Sequence, residues 1–136
     1  MLASFCVNAL LVAICVLLHF EMLNLLSMCG PSLAISRRFS ILLGVLGALC
    51  AHLIEVWIFG LGFFVLINFE FMGQLEGNTT QSLMDCIYFS LTSYTSLGFG
   101  DIAPRGWIRF LAGMEALTGL VLIAWTASFM FLEMQK

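Results

Sequence analysis

Thr92-Ser93-Tyr94-Thr95-Ser96-Leu97-Gly98-Phe99-Gly100-Asp101 is a run of hydroxyl-bearing residues that passes into Gly-aromatic-Gly-Asp. Gly98 and Gly100 lack a Cβ, so the backbone there can take positive φ and turn successive carbonyls the same way. The residues just before it, Ser82-Leu83-Met84-Asp85, form a capping-box pattern for a helix start. The helix from Ser82 to Tyr94 has about 13 residues, too few for a bilayer core that requires about 20. An apolar helix that stops half-way and returns as irregular backbone is a re-entrant loop, tolerated at membrane depth only where protein or water covers it.

The flanking sequence supplies the membrane. Of 136 residues, 62% are hydrophobic and only 10% charged, which excludes an ordinary soluble domain. Phe39 to Phe69 is an apolar run of about 31 residues and Phe110 to Met134 another of about 25, both long enough to span. Leu2 to Leu18 starts a third, continuing with interruptions to Met28; His19, Glu21 and Asn24 mark its far end. A secretory signal would carry Lys or Arg ahead of the apolar run, and none is present. Gly30-Pro31-Ser32 is expected to break this first helix, Glu70 to Gln81 to form a polar loop, and Pro104 to stop a helix. The five cysteines form no ligand-spaced set, so reduced packing residues are expected.

Ser96-Leu97-Gly98-Phe99-Gly100-Asp101 resembles the Thr-Val-Gly-Tyr-Gly-Asp selectivity filter of the potassium channel pore-loop superfamily. The resemblance implies that carbonyls of Ser96, Leu97, Gly98 and Phe99 replace the water shell of potassium ions, with the Ser96 hydroxyl at the inner end. Thr95, Gly100, Asp101 and Tyr88 would support the filter, Tyr88 by bonding the Asp101 carboxylate. Ser96 and Phe99 depart from the common pattern by a lost methyl and a lost hydroxyl. On the last span Gly119 matches the glycine at which the family's inner helices bend; close helix packing is its competing explanation. Ile123, Ala127 and Phe131 share one face below it and are candidates for an apolar gate, or simply for lipid contact.

The fold class implied is an all-α membrane protein: three transmembrane helices, a re-entrant pore helix and a selectivity filter, arranged as a tetrameric pore. Residues 1–28 would be a peripheral N-terminal helix and 39–136 the pore domain, with outer helix 39–69, pore helix 82–94, filter 95–101 and inner helix 110–134. A carbonyl ring needs four filters, hence a homotetramer in a lipid bilayer. Potassium would be the only bound species, with no cofactor and no nucleic acid partner. Arg37, Arg38 and Lys136 place the N-terminus outside and the C-terminus in the cytoplasm, though Arg105 and Arg109 then fall outside against the rule. Similar small bacterial proteins point to a prokaryotic plasma membrane. Selective passive potassium conduction is the expected function. A non-selective sodium/potassium channel and a non-conducting subunit of a partner channel remain open; no nucleophile–base pair argues for an enzyme.

His52, Glu55 and Glu115 lie inside spans, where ionisable groups are costly and face protein. Counted along the helices, Glu55 lies about 6 Å and Glu115 about 12 Å below the outer membrane edge, at the depth of the pore helix. They are expected to form one buried hydrogen-bonded cluster behind the filter, its two carboxylates sharing a proton. A metal site at these three residues has no fixed ligand spacing to support it.

Overall fold

The computed structural model describes residues 2–32 and 37–135. Its elements are α1 (Leu2–Ser32), α2 (Arg37–Leu66), a 3₁₀ turn (Glu70–Met72), β1 (Leu75–Gly77), α3 (Leu83–Tyr94), β2 (Ile102–Pro104) and α4 (Ile108–Gln135). The segment joining α1 to α2 at 33–36, Lys136, and the side chains of Arg37, Cys29 and Glu70 lie outside the described residues.

Among the described residues three helices are long and apolar enough to cross a membrane: Phe5–Met28, Arg38–Leu66 and Ile108–Gln135. The protein is an integral membrane protein, and its spanning parts are helical because a helix satisfies its own backbone groups where no water can. α3 packs between α2 and α4, and α1 lies against those same two helices. The core they enclose includes Phe59 and Phe63 of α2, Cys86 and Phe89 of α3, and Leu111 and Leu122 of α4. The rings of Phe63 and Phe89 meet edge to face at 5.0 Å. Many large apolar side chains instead point outward, among them Leu10, Leu17, Leu42 and Leu132, as lipid contact requires. Cys6, Cys15, Cys50 and Cys86 are free thiols.

Three expectations about the connections need correction. α1 does not break at Gly30 but runs to Ser32; a proline in the final turn removes one hydrogen bond where the helix is about to end anyway. α2 stops at Leu66 rather than Phe69, and the Asn68 amide donates to the Phe64 carbonyl at 2.7 Å, covering one of the open acceptors. Pro104 stops no helix. It ends β2, which pairs antiparallel with β1 in the register Leu75 to Pro104 and Gly77 to Ile102. Among the described residues the all-α fold thus carries one two-stranded ribbon, with the Arg105 Nε donating to Glu76 at 2.8 Å on its exposed face. This ribbon ties the chain entering α3 to the chain leaving the 95–101 segment.

Candidate functional site

α3 begins as its sequence requires. The Ser82 hydroxyl accepts from the Asp85 N–H at 3.2 Å, and the Asp85 carboxylate accepts from the Ser82 N–H at 3.2 Å, completing the capping box. The same carboxylate oxygen accepts the Thr80 N–H and the Thr80 hydroxyl, both at 2.8 Å. The Thr80 hydrogen bonds, chief among several, hold the Asp85 carboxyl well below the usual carboxylate range.

At its other end α3 passes into the filter segment through a cluster of backbone bonds. The Leu97 and Gly98 N–H groups both donate to the Thr92 carbonyl, at 2.9 and 3.2 Å. The Thr95 hydroxyl donates to the Leu91 carbonyl at 2.7 Å. Beyond this point the backbone is left-handed at every second residue: Ser96 at φ 56°, Gly98 at 53° and Gly100 at 80°. Sequence reading anticipates the two glycines. Ser96 is the surprise, since a residue with a Cβ held in this region is strained, and such strain collects at functional sites. Thr95 to Asp101 are all exposed. The Tyr88 hydroxyl donates to the Asp101 carboxylate at 3.0 Å, and the Tyr88 ring stacks on Phe99 at 6.5 Å with the planes 4° apart. Tyr88, Phe99 and Asp101 therefore form one brace at the C-terminal end of the segment.

On α4 the candidates divide. A Cβ at Gly119 would stand 2.1 Å from the Tyr94 carbonyl oxygen and 2.9 Å from its carbon. Here the pore helix approaches α4 backbone to backbone, so the geometry accounts for Gly119 by close packing, and α4 runs unbroken through it. Ile123 and Ala127 line a cavity of about 480 Å³ between α2, the end of α3 and α4, along with Leu91, Thr95 and Met130. Phe131 does not join them and is exposed.

The buried polar groups are arranged differently from expectation. Glu115 is not hydrogen-bonded to Glu55 or His52. Its carboxylate meets the Ser90 hydroxyl of α3, which also bonds the Val56 carbonyl at 2.8 Å, and its second oxygen has no partner. The depth of Glu115 was readable from its distance along α4, but the rotation that aims it at Ser90 was not. Glu55 gathers a separate set. Its Oε1 lies 2.9 Å from His19 Nδ1, its Oε2 lies 3.2 Å from His52 Nδ1, and the Tyr94 hydroxyl donates to Oε2. Tyr94 Oη is 2.8 Å from His52 Nδ1, and Thr126 Oγ1 is 3.0 Å from His52 Nε2 and 3.2 Å from His19 Nε2. His19 is thus no marker of a polar helix end; it is fully buried. Sequence reading missed His19, Ser90, Tyr94 and Thr126. Ser90 and Tyr94 are four apart, so they share a face of α3, and each turn of that face presents its hydroxyl to one buried carboxylate.

A family profile described as "Ion channel" matches residues 51–136, which hold the C-terminal half of α2, α3 with the loop after it, and α4. The chain belongs to this ion-channel family. The family match and the two relatives below support the potassium channel pore-loop superfamily, and the chain is not an enzyme. It is similar to the potassium channel protein kcv of Paramecium bursaria Chlorella virus 1, 39% identical over 57 residues, covering 37% of this chain and 61% of the viral protein. It is also similar to two-pore potassium channel 1 of Arabidopsis thaliana, 26% identical over 106 residues, covering 77% of this chain. The matched part is 24% of the plant protein, so the chain spans less than two thirds of either relative. No solved structure matches it.

Proposed function

We propose that the chain is one protomer of a homotetrameric channel that conducts potassium passively and selectively through a file of carbonyls from Ser96, Leu97, Gly98 and Phe99. The observation that carries this reading is the alternation of left-handed backbone at Ser96, Gly98 and Gly100, which turns successive carbonyls toward one side. The names of both relatives, a viral and a plant potassium channel, favour potassium as the ion. Four copies around an axis would bring four such segments together. Ions in the filter are the only bound species this reading needs. Residues 39–136 act as the pore domain and 1–28 as a peripheral helix, with the N-terminus outside, the C-terminus cytoplasmic and a prokaryotic plasma membrane as the setting. Thr95, Gly100, Asp101 and Tyr88 support the filter from behind and above. Ile123 and Ala127 line the inner cavity and are its gating candidates.

The test is potassium and sodium flux in liposomes containing only this protein. A Cβ added at Gly98 meets no atom within 4 Å, so Gly98→Ala changes the backbone preference at φ 53° and nothing else in the protomer. Flux should vanish in this variant while the oligomer persists. Undiminished flux would remove the filter from the pathway. Equal sodium and potassium permeability would favour the non-selective channel, to which Ser96 and Phe99 would then be the clue.

A further inference from the structure

His19, His52 and Glu55 each offer a ligand atom, and the three atoms lie within 4.8 Å of one another. The groups around them are one positive centre short of full pairing. Thr126 Oγ1 sits between the two Nε2 atoms and owns a single proton. Suppose both imidazoles are neutral and Glu55 is ionised. If Thr126 donates to His19 Nε2, then His52 Nε2 donates to Thr126, and His52 Nδ1 is a bare lone pair. That lone pair faces Glu55 Oε2 at 3.2 Å and Tyr94 Oη at 2.8 Å. Giving the Tyr94 proton to it leaves the phenol oxygen bare against Oε2, where the contact is shortest. If Thr126 accepts from both Nε2–H groups, both Nδ1 lone pairs face the carboxylate. If instead both Nδ1–H groups donate to Glu55, two Nε2 lone pairs face the single Thr126 proton. With neutral rings one lone pair always lacks a donor, and a cation held by the Nδ1 atoms and Glu55 removes that shortfall while leaving both Nε2–H groups to Thr126.

We propose that His19, His52 and Glu55 bind a divalent ion of the zinc class, with Tyr94 Oη at a fourth position, clamping α1 to the pore domain behind the filter. Two imidazoles and a carboxylate suit this ion in type and number. Tetrahedral bonds of about 2.0–2.1 Å set neighbouring ligand atoms roughly 3.3 Å apart. The 2.9 Å and 3.2 Å separations run from the two Nδ1 atoms to different oxygens of Glu55, so an ion taking one oxygen requires the carboxylate to turn and the Tyr94 hydroxyl to back away from it. Ligating imidazoles ordinarily donate their other N–H to an oxygen that fixes their orientation, and Thr126 Oγ1 is placed to receive both. Access is open on one side, because His52 lines the cavity between α2, the end of α3 and α4. This site does not depend on which ion the channel conducts.

The experiment uses the full-length, untagged protein in detergent, stripped with a chelator and then titrated with Zn²⁺ or Co²⁺. One ion per chain is expected, with a raised unfolding midpoint and the intense visible bands of four-coordinate Co²⁺. Thr126→Val, which touches no metal, should weaken affinity roughly 10–100-fold, and Thr126→Ser should restore it. His19→Gln keeps a hydrogen-bonding side chain and should lose binding altogether. Absence of stoichiometric binding by the stripped protein would overturn the proposal, and so would a midpoint that answers to pH and not to metal, which would make the missing cation a proton. Equal affinity in wild type, Thr126→Val and His19→Gln would overturn it as well, placing the ion elsewhere.

Discussion

Behind the pore helix Ser90 and Tyr94 are buried, and each bonds a fully buried carboxylate, whereas every residue from Thr95 to Asp101 in front is exposed. The back draws on α1, α2 and α4 through His19, Glu55, Glu115 and Thr126. In front, a Cβ added at Gly98 or at Gly100 would meet nothing within 4 Å. The chain therefore shapes this loop from behind, by side chains and a tight end of helix, and leaves its front open. Stability and conduction should separate accordingly: changes behind the helix unfold the protein, and changes in front stop its flux.

Glu55→Ala tests the back most severely. It leaves His19, His52 and Tyr94 buried without the acceptor they share. Removing one partner from such a set costs on the order of 3–5 kcal/mol. The unfolding midpoint in detergent should fall further than for any change in front. A midpoint close to wild type would break the contrast.

Gly119→Ala comes next. The new methyl would stand 2.1 Å from the Tyr94 carbonyl oxygen, so α4 or the pore helix must move. Overpacking of this kind costs about 1–3 kcal/mol, and because Tyr94 lies two residues before Ser96, flux should fall too. Gly113→Ala supplies the control on the same helix, since nothing lies within 4 Å of its added Cβ. It should be neutral or stabilising by up to about 1 kcal/mol through helix propensity alone. If Gly119→Ala loses flux while its stability holds, and Gly113→Ala keeps both, Gly119 acts as a hinge and not as a packing contact.

Ser82→Ala removes one half of the capping box. The Asp85 N–H loses its acceptor, and the expected cost is about 1 kcal/mol. Thermal unfolding in the same detergent reads it.

How much of this was legible follows the range of the interactions. The capping box, the short pore helix and the two glycines are local, and Ser82, Asp85, Gly98 and Gly100 sit where the sequence placed them. The ribbon was hidden because three-residue strands such as Leu75–Gly77 and Ile102–Pro104 are too short to show alternation. His19 looked like a polar helix end because hydropathy falls there, and its partner Glu55 is 36 residues away. Glu115 could be placed in depth but not in azimuth, since an apolar membrane helix carries little facial pattern from which to read its rotation. Ser96 was read by its hydroxyl, and its left-handed backbone follows from no residue preference at all.

The smallest effect expected is one that is absent at neutral pH. Asp85 accepts hydrogen bonds from Thr80, Ser82 and Thr79 that only the ionised carboxylate can accept in full. Those bonds, led by Thr80, depress its folded-state pKa, while in the unfolded chain it titrates near the usual value of about 3.9. A depressed folded pKa means the unfolded state binds the proton more readily. The carboxylate's contribution is then complete above about pH 4, and it drains away as the pH falls toward the folded pKa. The group is half-buried and open to water on one side, so it is screened and the loss is modest. Wild type should therefore lose more of its unfolding midpoint between pH 5 and pH 3 than Asp85→Asn does, with each variant referred to its own value at pH 7. Parallel curves would mean that the loop at Thr79 and Thr80 already opens in the native protein, and that the ribbon alone sets where the pore helix begins.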